Sequence, residues 1–112
     1  ALAGSSERDF ECIVVDDGSR EPLQLPFGDE RFRVLRLETR GGPARARNHG
    51  AACARGDLLA FFDADVLVHA DTLGRLRERL LRDPDLAAVI GSYDDEPTDP
   101  GFVSQFKNLF HH

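Results

Sequence analysis

Residues 13–19 read IVVDDGS: three β-branched, core-forming side chains followed at once by two carboxylates, a glycine and a serine. A run of this kind is a short strand that leaves the core at Asp16, because parallel strands covered on both faces read as continuous apolar stretches closed by turn residues. Extended backwards, the strand is FECIVV, residues 10–15. The same grammar recurs at LLAFF, residues 58–62, which runs into the aspartates of DADV. FRVLRL, residues 32–37, alternates as an edge strand does, and AAVIG, residues 87–91, reads as a fourth strand.

Two helices lie between these strands. In GGPARARNHGAACARG, residues 41–56, Pro43 suits the first turn, Ala44, Ala51 and Ala52 permit close packing, and Gly56 suits the terminus. In DTLGRLRERLLRDP, residues 71–84, Leu73, Leu76, Leu80 and Leu81 form one apolar stripe, with Asp71 as N-cap and Pro84 as stop. The order strand, strand, helix, strand, helix, strand predicts an α/β protein, a Rossmann-like three-layer sandwich with a mostly parallel sheet. With 112 residues the chain is expected to form one domain, residues 1–112, around one core.

Composition narrows the function. The chain is 41% hydrophobic and 30% charged, and no apolar run approaches the roughly 20 residues that span a bilayer. The opening ALAGSSERDF has neither the basic end nor the apolar stretch of a secretory signal. Cys12 and Cys53 form no CxxC pair, which argues for small core residues and a reducing, cytoplasmic setting. Twenty acidic against 14 basic residues, a net charge of -6, argue against nucleic acid as a partner. His49 and His69 have no second ligand at metal spacing and read as surface or rim residues.

Both acidic clusters fall where strands end. Ligands of parallel sheets bind beyond the carboxyl ends of the strands, so Asp16 and Asp17 are expected to share one rim with Asp63 and Asp65. In an extended DAD the two carboxylates face one way, with only Ala64 between them. Close carboxylates repel unless a cation or proton intervenes, and Mg²⁺ or Mn²⁺ prefers oxygen ligands, taking those the protein does not supply from water and substrate phosphate. The acidic rim is thus suited to hold a diphosphate through a divalent metal.

Taken together, IVVDDGS, GGPARARNHG and LLAFFDADV resemble, in order and spacing, the nucleotide-binding half of family 2 glycosyltransferases of the GT-A fold. The resemblance is strong over about residues 10–70 and looser beyond. It implies nucleotide-sugar contacts from Asp16, Asp17, Gly42, Arg47, Asn48 and Asp63, and metal or phosphate contacts from Asp63 and Asp65. It further implies a nucleoside-diphosphate sugar donor, a uridine diphosphate sugar being the common choice, and inverting transfer to the hydroxyl of an unknown acceptor. The family's first strand, with its P-x-[FY]-N turn, has no counterpart here, and the base that activates the acceptor comes well downstream of DxD. The chain is therefore expected to be an internal fragment that binds donor and turns over poorly, part of a longer enzyme whose membrane association the sequence leaves open. GSYDDEP, with Asp94, Asp95 and Glu96, matches a loop ahead of that base and is assigned no catalysis.

A receiver-like signalling domain is the alternative, with Asp63 as phosphoacceptor and Asp16, Asp17, Ser92 and Lys107 in supporting roles. Lys107, however, lies in FVSQFKNLF, which reads as an amphipathic helix burying Phe102, Phe106 and Phe110, and GGPARARN has no receiver role. Exposed strand edges and that Phe stripe predict self-association.

Overall fold

Val14 and Val15 anchor the first strand in a computed structural model that describes residues 2–92. That strand, β1 (Cys12–Asp16), lies parallel to β2 (Phe32–Arg36). Cys12 stands opposite Phe32 and Asp16 opposite Arg36, and the Leu37 N–H extends the ladder by donating to the Asp16 carbonyl at 2.8 Å. A parallel pair needs a crossover to return the chain to the same end of the sheet. Residues 17–31 provide it without regular secondary structure of their own.

Helix α1 (Pro43–Cys53) packs on β1. Gly50, the buried residue of α1, sits so close to the strand that a Cβ placed there would stand 3.1 Å from Val15 Cγ2. The apolar interior is small: Leu37, 7% exposed, is the buried hydrophobic residue, while β1 and β2 are mostly half-covered. At the start of β2, Phe32 meets the rings of Phe10 and Phe27 edge-on, and the Arg31 guanidinium lies 4.6 Å from the centre of Phe10. Polar ties close the strands' starting end. Arg33 donates to the Cys53 carbonyl at 2.6 Å, satisfying an orphan acceptor at the end of α1, and the Glu11 carboxylate accepts from the Arg55 N–H at 2.6 Å.

Helix α2 (Thr72–Arg82) starts as its sequence predicts: the Arg75 N–H donates to the Asp71 carbonyl at 3.0 Å. Ser5 and Ser6 hydroxyls both reach the Ala70 carbonyl, at 3.1 and 3.0 Å, which tethers the chain start just ahead of this helix. By compactness the chain divides into a unit Ala1–Arg77 and a unit Glu78–His112. In the second, Arg79 and Asp83 pair at 3.9 Å within the last turn and its exit. Among the described residues no helix is long and apolar enough to cross a membrane.

The α/β class, the parallel pairing and both helices agree with the sequence reading, and three details differ. LLAFF and AAVIG are not strands among the described residues, and Leu58, Leu59 and Phe61 stand about half exposed. A strand exists only against a neighbour that takes up its backbone hydrogen bonds, and no described segment pairs with either run. DAD is correspondingly not extended: Ala64 and Asp65 form a turn in which the Val66 N–H donates to the Asp63 carbonyl at 3.2 Å. Finally, α1 stops at Cys53, ahead of Gly56, where Ala54 becomes extended. Asp94, Asp95, Glu96, Lys107 and the stripe Phe102, Phe106, Phe110 lie outside the described residues.

Candidate functional site

β1 delivers Asp16 and Asp17 to its carboxyl end in succession, so their side chains leave on opposite faces. Asp16 is 4% exposed. One of its oxygens accepts from the Ser19 N–H at 2.8 Å; the other accepts from the Leu23 N–H at 3.2 Å and the Arg36 guanidinium at 2.8 Å. Hydrogen bonds from Ser19, then from the Leu23 N–H, with the charge of Arg36 beside them, draw its carboxyl from the ordinary 3.8 down to about 2. Arg36 also donates to the Ser19 carbonyl at 2.7 Å, so one guanidinium closes the loop that leaves β1 onto the end of β2.

Asp17 turns to the segment before α1. Its two oxygens accept from the Gly41 and Gly42 N–H groups at 2.8 and 2.7 Å. Gly42 occupies the N-cap of α1 at φ 85°, and Pro43 behind it has no N–H to satisfy. A carboxylate at this point faces the positive end of the helix. Gly18, at φ 69°, lets the two segments touch: a Cβ there would stand 2.8 Å from the Arg40 nitrogen.

The same helix reaches the second acidic cluster. Arg47 lies five residues beyond Gly42, about 7.5 Å along the axis, and its guanidinium pairs with Asp63 Oδ1. Arg47 and Asp63 are each about half exposed, and Asp65 is exposed in the turn that follows. The two acidic clusters are thus joined by protein contacts, from Asp17 through Gly42 and the first turns of α1 to Arg47 and Asp63. Asn48 is exposed on α1 and takes part in no described hydrogen bond.

Asp63 and Asp65 are exposed carboxylates, and Asp63 already attracts a cation in the form of Arg47. Oxygen donors in this setting suit a hard divalent ion. Among the described residues no group of three or more His, Cys, Asp or Glu is arranged to hold a metal. Arg36 and Ser19 are the functional neighbours that sequence reasoning missed. Ser19 stood in the opening motif, but Arg36 becomes visible only when the register sets it opposite Asp16.

Comparison with known proteins identifies the family. The chain is 33% identical over 91 residues to the glycosyltransferase GlyG of Streptococcus pneumoniae serotype 4, covering 77% of this chain and 30% of that protein. It is 40% identical over 72 residues to the succinoglycan biosynthesis protein ExoO of Rhizobium meliloti, covering 62% and 21% respectively. To the amylovoran biosynthesis glycosyltransferase AmsB of Erwinia amylovora it is 34% identical over 112 residues, covering 91% and 37%. The chain therefore spans well under half the length of these relatives. No solved structure gives a significant match. The model of glycosyl transferase family 2 matches residues 1–111, and the chain belongs to that family.

Proposed function

We propose that this chain forms the donor site of an inverting glycosyltransferase, binding a nucleoside-diphosphate sugar, most simply a uridine diphosphate sugar, at the rim where β1 ends. The observation that carries this reading is α1 itself: it holds Gly42 against the first acidic cluster and Arg47 against the second, making one continuous polar rim. In this reading the nucleoside lies by Asp16 and Asp17, Gly42 and Asn48 line the path between, and the diphosphate lies near Arg47, Asp63 and Asp65. A divalent ion, Mn²⁺ or Mg²⁺, held by Asp63 and Asp65 would supply Lewis-acid stabilisation of charge on the departing diphosphate. Arg47 adds a fixed positive group to the same end. The acceptor's hydroxyl oxygen bonds to the anomeric carbon, the bond from that carbon to the diphosphate oxygen breaks, and the hydroxyl proton passes to a base. No residue of this chain is assigned that base. General-base help is worth about 10²- to 10⁴-fold, so the isolated chain is expected to bind donor and transfer it slowly. The two free, half-buried cysteines suit a reducing, cytoplasmic compartment.

Calorimetric titration of uridine diphosphate into the chain, with and without Mn²⁺, tests the reading. Binding is expected to require Mn²⁺ and to weaken roughly tenfold or more, about 1.4 kcal/mol per tenfold, in Asp63→Ala and Asp65→Ala. Nucleotide affinity indifferent to Mn²⁺ and to both substitutions would remove the donor site from this rim.

A further inference from the structure

Among the described residues, the Arg47 guanidinium lies directly on an acid of the second cluster, Asp63. Its backbone belongs to a helix whose start is fastened by the Asp17 carboxylate, whereas Asp63 belongs to irregular chain that ends in a turn. The guanidinium is therefore carried by a helix and its carboxylate partner by irregular chain. Two consequences follow from charge alone. A divalent ion approaching Asp63 must separate it from Arg47, and it must also sit near a group of its own sign. A diphosphate, by contrast, offers Arg47 a replacement anion with paired oxygens that can accept two parallel N–H bonds from the planar guanidinium.

We infer that Arg47 is a resident counter-ion of Asp63 that holds back bare metal and releases the carboxylate when a diphosphate arrives. This rests on the donor-site reading above and adds to it an order: metal and nucleotide enter together, each raising the other's affinity. By linkage the coupling is reciprocal, so it can be read from either ligand. Because the pair is half exposed, screening limits its effect, and a change of about three- to tenfold is expected.

Binding of Mn²⁺ alone, followed by the electron paramagnetic resonance of the free ion, is the direct test. Arg47→Gln is expected to bind Mn²⁺ without nucleotide about three- to tenfold more tightly than the unmodified chain, and Arg47→Lys, which keeps the charge, about equally to it. The factor by which uridine diphosphate raises Mn²⁺ affinity is expected to shrink in Arg47→Gln. Arg47 is about half exposed, so neither substitution empties a core. If the unmodified chain binds Mn²⁺ with uridine diphosphate while Arg47→Gln binds Mn²⁺ alone no more tightly, the donor site stands and the counter-ion role falls. If Mn²⁺ binds in neither protein even with nucleotide present, both fall together.

Discussion

Asp16 holds a negative charge in a nearly closed place because loop and strand donors surround it: Ser19 on one carboxylate oxygen, the Leu23 N–H and Arg36 on the other. Those donors favour the ionised form, and the folded carboxyl sits at about 2 against an ordinary 3.8. As acid is added the unfolded chain takes up its proton first, so the stability supplied by Asp16 is complete above about pH 4 and disappears as pH falls to about 2. Glu7, Glu11 and Asp29 are also lowered, by the Asp9 N–H, the Arg55 N–H and the Arg31 guanidinium respectively, and add to acid sensitivity in the same direction. Asp16→Asn is expected to be less stable at neutral pH and to differ less from the unmodified chain as pH approaches 2. Urea midpoints measured from pH 2 to 7 check this, and a difference constant across that range would refute it.

At the scale of elements, the join between the exit of β1 and the entry to α1 is backbone against backbone. Gly18 needs its positive φ, and there is no room for a Cβ beside the Arg40 nitrogen. Gly18→Ala is accordingly expected to cost about 1–3 kcal/mol, seen as a lowered urea midpoint with unchanged slope. Because the same join aims α1, it is also expected to weaken Mn²⁺-dependent nucleotide binding. A Gly18→Ala chain as stable as its parent would show that the join is loose. The helices themselves were legible from local pattern: Pro43 marks the start of α1, and the stripe Leu73, Leu76, Leu80 and Leu81 marks α2, although Leu81, expected to pack, stands 64% exposed because it falls in the last turn, beyond the half-buried Leu80. The strands were legible only in part. FECIVV and FRVLRL find each other, whereas LLAFF has the composition of a strand and no described partner, so its composition alone did not make it one.

At the scale of the whole molecule, apolar side chains stand exposed among the described residues. Leu58, Leu59, Phe61 and Leu67 are between 45% and 65% exposed, while Leu37 is the one hydrophobic residue described as buried. Burial of apolar area contributes about 25 cal/mol per Å², so covering such side chains favours association. The chain is expected to self-associate at micromolar concentration, and substituting Leu59 and Phe61 together by Ser is expected to reduce it. Light scattering that gives the mass of one 12.4 kDa chain throughout this range would exclude the idea. Membership of glycosyl transferase family 2 also leaves the receiver-like alternative without support, since the GGPARARN block that a receiver does not use is here the start of α1 and the bridge between the acids.

Local pattern was enough to read where β1 ends and where α1 begins. These follow from chemistry within a few residues: apolar runs stop where charge begins, and proline starts helices but does not continue them. Pairing was a different matter. That Asp16 would face Arg36, that Asp17 would take two glycine amides, and that Asp63 would meet Arg47 are all contacts across 16 to 25 positions of chain. Such contacts depend on strand register and helix aim, and only the folded arrangement sets those, because the free energy of each pairing comes from groups that the chain order keeps apart.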